Sequence, residues 1–264
     1  MKILNKIVLL LATSLVLFSC NNKDAIYTPR LDINEQYNAS IDYSEYSFDD
    51  YSVTITPTQL KTMLDNKESF AFYFHNRYCE SCEGIKPLLI HYVLETKNAF
   101  YSLDIGNDSN FTEFQIGNLY SQIKDANDYY LFKDEDDQFI FPTPVFYFIN
   151  NGAIEKKQLV TSNMFNYSFF KKVMNKNLIT STSYIITNFD NLNKYRYVYY
   201  CDLSKSYIND LYKEIIACSD ISIAINRLSS LEFSESKIVD QTSGRELITS
   251  DTTTLTDILS FYNA

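Results

Sequence analysis

The sequence predicts an α/β fold: a mixed sheet with helices on both faces, followed by a second, smaller α/β domain. Three observations carry that expectation. Between Val53 and Leu178, strand-length apolar runs alternate with helix-length patterns and close on a hairpin and a helix, in the order β, α, β, α, β, α, β, β, α. Phe70 to Phe74 reads Phe-Ala-Phe-Tyr-Phe, and a run apolar at every position suits a central strand covered on both sides. Beyond Ser181 a strand, a helix, a hairpin and a helix follow, repeating the logic of the first domain.

The chain has 264 residues, 45% hydrophobic and 21% charged, enough for one or two cores. That balance excludes collagen, coiled-coil and low-complexity chains. Asp and Glu number 33 against 23 Lys and Arg, a formal charge of −10. Nucleic acid is therefore not an expected partner, because its phosphates need clustered cations.

Lys2 and Lys6 precede an apolar run, Ile7 to Phe18, with only Thr13 and Ser14 inside it. A single such run excludes a multi-span membrane protein. A charged start, a short apolar core and a small residue before the break read as a secretory signal peptide over residues 1–19. Leu17-Phe18-Ser19-Cys20 resembles the bacterial lipobox. The resemblance implies cleavage before Cys20 and a diacylglycerol on its thiol, anchoring the chain to the bacterial cell membrane. An uncleaved anchor is the alternative. Either way the remainder is extracytoplasmic, where disulfides persist. Residues 20–52 are acidic and show no sustained period, so a flexible tether is expected there.

A domain is expected over residues 53–179. Val53–Ile55 is its first short strand. Thr56-Pro57-Thr58-Gln59 has the form of a helix start, with a Thr cap, Pro at the first helical position and Gln three residues after the cap. Leu60, Met63 and Leu64 follow as the buried stripe. After the central strand, Glu80 to Lys97 reads as a helix burying Ile85, Leu88, Leu89, Tyr92 and Val93. Phe100–Ile105 is a strand. Phe111–Ala126 reads as a helix and Asp125–Gln138 as acidic loop, both within an insertion near 106–140. Val145–Ile149 and Ala153–Val160 flank Asn150-Asn151-Gly152, a hairpin signature. Met164–Leu178 is a Lys-rich helix.

Residues 180–264 carry their own pattern. Tyr195–Cys201 reads as a strand and Tyr207–Cys218 as a helix. Lys237–Gln241 and Arg245–Thr249 form a hairpin around Thr242-Ser243-Gly244, and Thr252–Tyr262 closes as a helix. Cys201 and Cys218 are candidates for a structural disulfide, with two buried thiols as the alternative.

The chemistry concentrates at Cys79-Glu80-Ser81-Cys82, four residues after the buried strand and at the start of a helix. Cys-x-x-Cys beside an alternating α/β pattern is a redox signature. The helix N-terminus, with unpaired N–H groups and a positive dipole end, favours the thiolate that attacks. Cys79 is then the attacking thiol, and Cys82, one turn inside the helix, the buried resolving one. His75, four residues before Cys79, could tune that thiol or join both cysteines as a third metal ligand. A structural zinc needs four ligands, so no metal site is assigned, and packing is the ordinary role for both His75 and mid-helix His91. Asp134-Glu135-Asp136-Asp137 lacks the spacing and glycine of a calcium loop.

The segment Tyr78-Cys79-Glu80-Ser81-Cys82-Glu83-Gly84-Ile85-Lys86-Pro87 resembles the active-site helix of the thioredoxin superfamily, with an aromatic before the first Cys and a Pro five residues after the second. Phe141-Pro142-Thr143-Pro144-Val145 resembles the family's cis-proline loop. Over Val53–Leu178 this resemblance implies a thioredoxin-like fold. It also implies a thiol–disulfide oxidoreductase acting on protein thiols or disulfides, with Thr143, Pro144 and Tyr78 binding substrate. The cysteine pair is the redox centre, so no cofactor is implied, and a reductive role would draw electrons from a membrane donor. The second domain lacks both motifs and reads as a degenerate, silent thioredoxin-like unit. Two family positions differ: the buried acid six residues before the first Cys is Tyr73, and its accompanying lysine is Ser102. Cys82 therefore lacks the usual proton acceptor, and Tyr73, Glu83 or water are the candidates to replace it. Glu80 and Glu83 disfavour a neighbouring thiolate, and a strong oxidase depends on a very stable one, so a reductase or isomerase is expected. The alternative is a non-catalytic binding protein of the same fold, for a metal or a partner protein.

Overall fold

In a computed structural model of the chain, the structure describes residues 26–107, 109–110, 132–133, 139–140, 143–186, 189–201, 206–226 and 235–264. The expected signal peptide, Cys20, the helix over Phe111–Ala126, the acidic loop apart from Phe132–Lys133, and Phe141-Pro142 lie outside them. The described chain divides into two compact units, Ile26–Thr180 and the residues from Ser181 onward.

In the first unit, β1 (Ile26–Leu31) leads through a 3-10 turn (Phe48–Tyr51) to β2 (Val53–Thr54), α1 (Pro57–Asp65), β3 (Phe70–His75), α2 (Glu80–Thr96) and β4 (Tyr101–Asp104). Phe132–Lys133 pairs antiparallel with Phe139–Ile140 as a short ribbon. The hairpin β5 (Val145–Asn150) and β6 (Ala153–Leu159) follows, then a 3-10 turn (Ser162–Phe165) and α3 (Tyr167–Asn177). The sheet runs in the order β2, β4, β3, β5, β6. The first three strands are parallel, and β5 and β6 are antiparallel additions.

Local chemistry accounts for the boundaries. Thr56 and Gln59 close a capping box at the start of α1, with Pro57 as its first residue. The β5–β6 turn takes positive φ at Asn151 (55°) and Gly152 (75°), the backbone of a primed hairpin turn. A Cβ at position 152 would lie 2.4 Å from the Leu64 carbonyl oxygen, so glycine is required there on two counts. All six residues of β3 are buried. Phe72 stacks on Tyr147 at 4.8 Å, and Tyr73 lies 4.9 Å from Phe146 across the same strand pair. A polar network sits at one edge of this core: buried Asn98 donates to the Tyr92 hydroxyl (2.8 Å), which donates to Asn175 (3.0 Å).

Residues 26–52 correct the expectation of a flexible tether. Ile26, Leu31, Tyr43, Phe48 and Tyr51 are all buried, while Glu35, Asp42, Glu45, Asp49 and Asp50 between them face solvent. The end of β1 exchanges backbone hydrogen bonds with residues 97–99: Leu31 N donates to Lys97 O (2.7 Å) and Ala99 N to Pro29 O (2.9 Å). Farther on, Tyr43 meets His91 edge-on at 4.7 Å, and Tyr51 donates to Glu35 at 2.5 Å. Sparse aromatic anchors, not a periodic stripe, hold this strap, which is why its composition reads as disorder.

The second unit holds most of β7 (Leu178–Ile185), then a 3-10 stretch (Phe189–Lys194), β8 (Tyr197–Tyr200), α4 (Ser206–Ala217), β9 (Ala224–Asn226), β10 (Lys237–Asp240), β11 (Glu246–Ile248) and α5 (Leu255–Tyr262). Its strands run β7, β9, β8, β10, β11, three parallel and two antiparallel, the same order and directions as in the first unit. Leu178, expected at the end of a helix, instead opens β7. The Cys201–Cys218 disulfide does not form. Cys201 follows β8 and Cys218 follows α4, so a 12-residue helix, about 18 Å long, separates the ends they occupy. A disulfide needs Cα atoms about 4.4–6.8 Å apart. The Cys201 thiol donates to Asn226 O (3.1 Å) instead.

Replacing Tyr43 by Ala in the full chain is expected to lower the unfolding free energy by about 3–5 kcal/mol, the cost of emptying a buried aromatic site. Urea denaturation checks this, since a residue on a solvated tether would leave the midpoint unchanged.

Candidate active site

The strand β3 ends at His75, and four residues carry the chain to α2. Asn76 shapes that link: its side chain accepts from Tyr78 N (2.9 Å) and its carbonyl from Cys79 N (3.0 Å). Arg77 pairs with Asp104 at the end of β4 (2.6 Å), tying the link to the sheet. Cys79 is the N-cap of α2, and its Sγ accepts from Cys82 N at 3.3 Å. A cap that takes a hydrogen bond through sulfur places the thiol among the helix's unpaired N–H groups.

Thr143 and Pro144 come from the other side. Their peptide bond is cis, as the resemblance of this loop implies. The Cys79 thiol donates to Thr143 O at 3.6 Å. Cys79 is half-buried, Cys82 is 0% exposed, and Tyr78 is 82% exposed beside them. Phe165, from the 3-10 turn before α3, lies against α2 at Gly84, where a Cβ would sit 3.2 Å from its ring. Pro87 lies inside α2, where it removes the hydrogen bond to the Glu83 carbonyl.

Burial dominates the electrostatics. It pushes the Cys82 thiol up to about 12, outweighing the opposing pull of hydrogen bonds from the Asn76 backbone and the Thr143 side chain. Tyr73 occupies the position where an acid was expected from the resemblance. Its hydroxyl donates to Cys82 O at 3.2 Å, and burial, then the proximity of both cysteines, raises its pKa. It is a donor locked in place and no proton acceptor at neutral pH. Ser102, opposite Tyr73 on β4, lies 3.0 Å from the Ser52 hydroxyl and belongs to a hydroxyl cluster.

His75 lies in the same buried layer. Its ring stacks on Tyr73 at 4.9 Å and meets Phe48 edge-on at 6.3 Å. Its Nδ1 has no hydrogen-bond partner among the described residues. Burial lowers its pKa to about 4, against an upward pull from Asp104. No cluster of three or more potential metal ligands occurs among the described residues. His91 is a packing residue among Tyr37, Tyr43 and Tyr167. The sequence reading missed Phe48 and Phe165. Both lie outside the motifs, and no local signal marks either one.

Between pH 6.5, the ordinary histidine value, and about 4, the folded chain binds fewer protons at His75 than the unfolded chain does. Stability is therefore intact above pH 6.5 and falls as the pH drops toward 4, by on the order of 3 kcal/mol. Denaturant titrations across this range should show that slope in the wild type and a flatter one in His75→Phe.

No protein-family model matches the chain, and no curated protein matches it. Solved structures do resemble it. Thioredoxin O2 from Arabidopsis thaliana in its oxidized state is 16% identical with a TM-score of 0.32, over 48% of this chain and 93% of that one. Thioredoxin from Aeropyrum pernix is 13% identical, TM-score 0.31, over 46% and 83%. The zinc-bound form of human ERp44 is 11% identical, TM-score 0.31, over 80% of this chain and 58% of that one. The fold itself follows from the chain's own geometry. Three parallel strands with two antiparallel additions, a cysteine capping the helix after the central strand and a facing cis-proline make the first unit a thioredoxin-like fold.

Proposed function

We propose that this protein is an extracytoplasmic thiol–disulfide oxidoreductase, anchored through a lipid on Cys20, that acts on disulfides of other proteins. One observation carries the reading. Cys79 is a half-buried thiol at a helix N-terminus, bracketed by Cys82 N at 3.3 Å and the Thr143 carbonyl at 3.6 Å beside a cis-proline. In this reading the Cys79 thiolate attacks one sulfur of a substrate disulfide, and the other sulfur leaves as a thiolate. Cys82, deprotonated, then attacks the Cys79 sulfur. The Cys79–Cys82 disulfide forms and the second substrate sulfur departs, so two electrons pass to the substrate. Thr143, Pro144 and exposed Tyr78 line the approach to Cys79. Electrons for further turnovers would come from a membrane donor.

Reductase or isomerase work is favoured over oxidase work. A buried Cys82 held near 12, with a tyrosine in place of an acid, resolves a mixed disulfide slowly. Slow resolution suits a protein that holds its substrate while the substrate's own thiols rearrange.

The redox equilibrium of the Cys79–Cys82 pair tests this. Alkylation trapping against defined dithiothreitol or glutathione ratios should show one reversible two-electron transition between about −270 mV, the thioredoxin value, and about −180 mV, that of protein disulfide isomerase. Cys82→Ser should accumulate mixed disulfides with partner proteins, and Cys79→Ser should form none. A midpoint near −120 mV would make it an oxidase, and no reversible transition would favour a non-catalytic binding protein. For the anchor, a labelled fatty acid fed to cells should be incorporated into the wild type and not into Cys20→Ala.

A further inference from the structure

The strap that replaces the expected tether reaches the back of the redox site. Phe48, on its 3-10 turn, is buried and lies edge-on to Tyr73 at 5.6 Å and to His75 at 6.3 Å. Tyr73 in turn donates to Cys82 O at 3.2 Å. One ring from residues 33–52 thus closes the layer that backs the resolving cysteine. His75 marks how dry the layer is: it is 4% exposed, and its Nδ1 has no partner among the described residues. The strap is held there by Tyr43 against His91, by Tyr51 on Glu35 and by Lys97 Nζ donating to Glu35 O at 2.6 Å.

We infer that Phe48 is a positioning residue for the redox reaction, the plug through which the N-terminal strap keeps Cys82 dry and sets the lifetime of the mixed disulfide. The inference rests on the oxidoreductase reading above. Resolution needs the Cys82 thiolate: its proton passes to water, its sulfur bonds to the Cys79 sulfur, and the substrate sulfur leaves with the electron pair of the broken bond. Keeping water from Cys82 holds that proton in place and slows the step. Titratable and charged groups acting in this layer are Cys79, Glu83 and Lys86 from α2 and its cap, Tyr73 and His75 from β3, and Asp104 from β4. The strap contributes Asp49, whose charge acts on His75. Phe48 thus works on Cys82 by excluding water and not by charge.

The test reads Cys82 reactivity in the full chain carrying Cys79→Ser, by iodoacetamide modification between pH 7 and 11 and mass spectrometry. Phe48→Ala is expected to raise the rate at pH 8 at least tenfold and to move the pH rise at least one unit lower. Phe170→Ala empties an equally buried ring against Tyr92 and Phe146, and should change the rate less than threefold. If Phe48→Ala does not fold, Phe48→Leu against Phe170→Leu carries the comparison, with at least a threefold rise expected for the former alone. A Phe48 profile within threefold of the parent for Ala, or unmoved for Leu, overturns the inference. So does an equal response at Phe170, which would mean general loosening. The readout needs no turnover, so an absent redox transition with a Phe48-specific response would sink the oxidoreductase reading alone, and the reverse pattern would sink this inference alone.

Discussion

The first unit depends on one constraint, the complete burial of β3. Six consecutive residues, Phe70 to His75, have no solvent-facing side, so both faces of the strand must be covered and both edges paired. Phe70 and Phe72 meet Tyr101 and Tyr147. Tyr73 and His75, on the opposite face, meet Phe146 and Phe48. A one-residue slip of this strand would swap its side chains between two covered faces and break the aromatic pairings on both. The link from Asn76 to Tyr78 is short, so the rigidity of β3 becomes the precision with which Cys79 caps α2.

The same burial decides the chemistry. A carboxylate beneath a resolving cysteine would offer a proton acceptor at the cost of a desolvated charge. This chain has an aromatic layer there instead. Tyr73 satisfies its hydroxyl on a helix carbonyl, and His75 stays neutral because charging it in that layer is unfavourable. An asymmetric pair results, with Cys79 reachable at the helix end and Cys82 withdrawn into the core.

The second unit carries different residues at the positions that shape the candidate site of the first. Its sheet repeats the order and directions of the first. Ser236 stands before β10 where Pro144 stands before β5, and its carbonyl accepts from the Thr249 hydroxyl at 3.1 Å. Cys201, just past the central strand, bonds to Asn226 O within the core. A thiol buried in this way packs as a small apolar group. At the β10–β11 turn, Asp240 accepts from Arg196 at 3.2 Å and from the Thr242 and Ser243 amides. Asp240 thus holds the hairpin closed.

Local signals were enough wherever a feature is set by neighbours in the chain. The capping box of Thr56 and Gln59, the Asn151-Gly152 turn, the apolar β3 and Cys79 at a helix start are all readable from a few consecutive residues, whereas the cis bond before Pro144 was expected only from the resemblance of its loop. Periodicity also found the helices, because a helix must turn one stripe inward. What the sequence could not supply are features whose partners lie far along the chain. Strap anchors Tyr43 and Phe48 are spaced by acidic residues and show their role only once His91 and Tyr73 are beside them. Ala224–Asn226 is too short to signal a strand until β7 and β8 pair with it on either side. Spacing left a Cys201–Cys218 bond open, and only the straight run of α4 between them excludes it. Short-range sterics and hydrogen bonding fix the elements and set the two cysteines at a helix start, so both are legible along the chain. What covers those cysteines is a matter of tertiary packing, since burial depends on which distant side chains arrive at the same place.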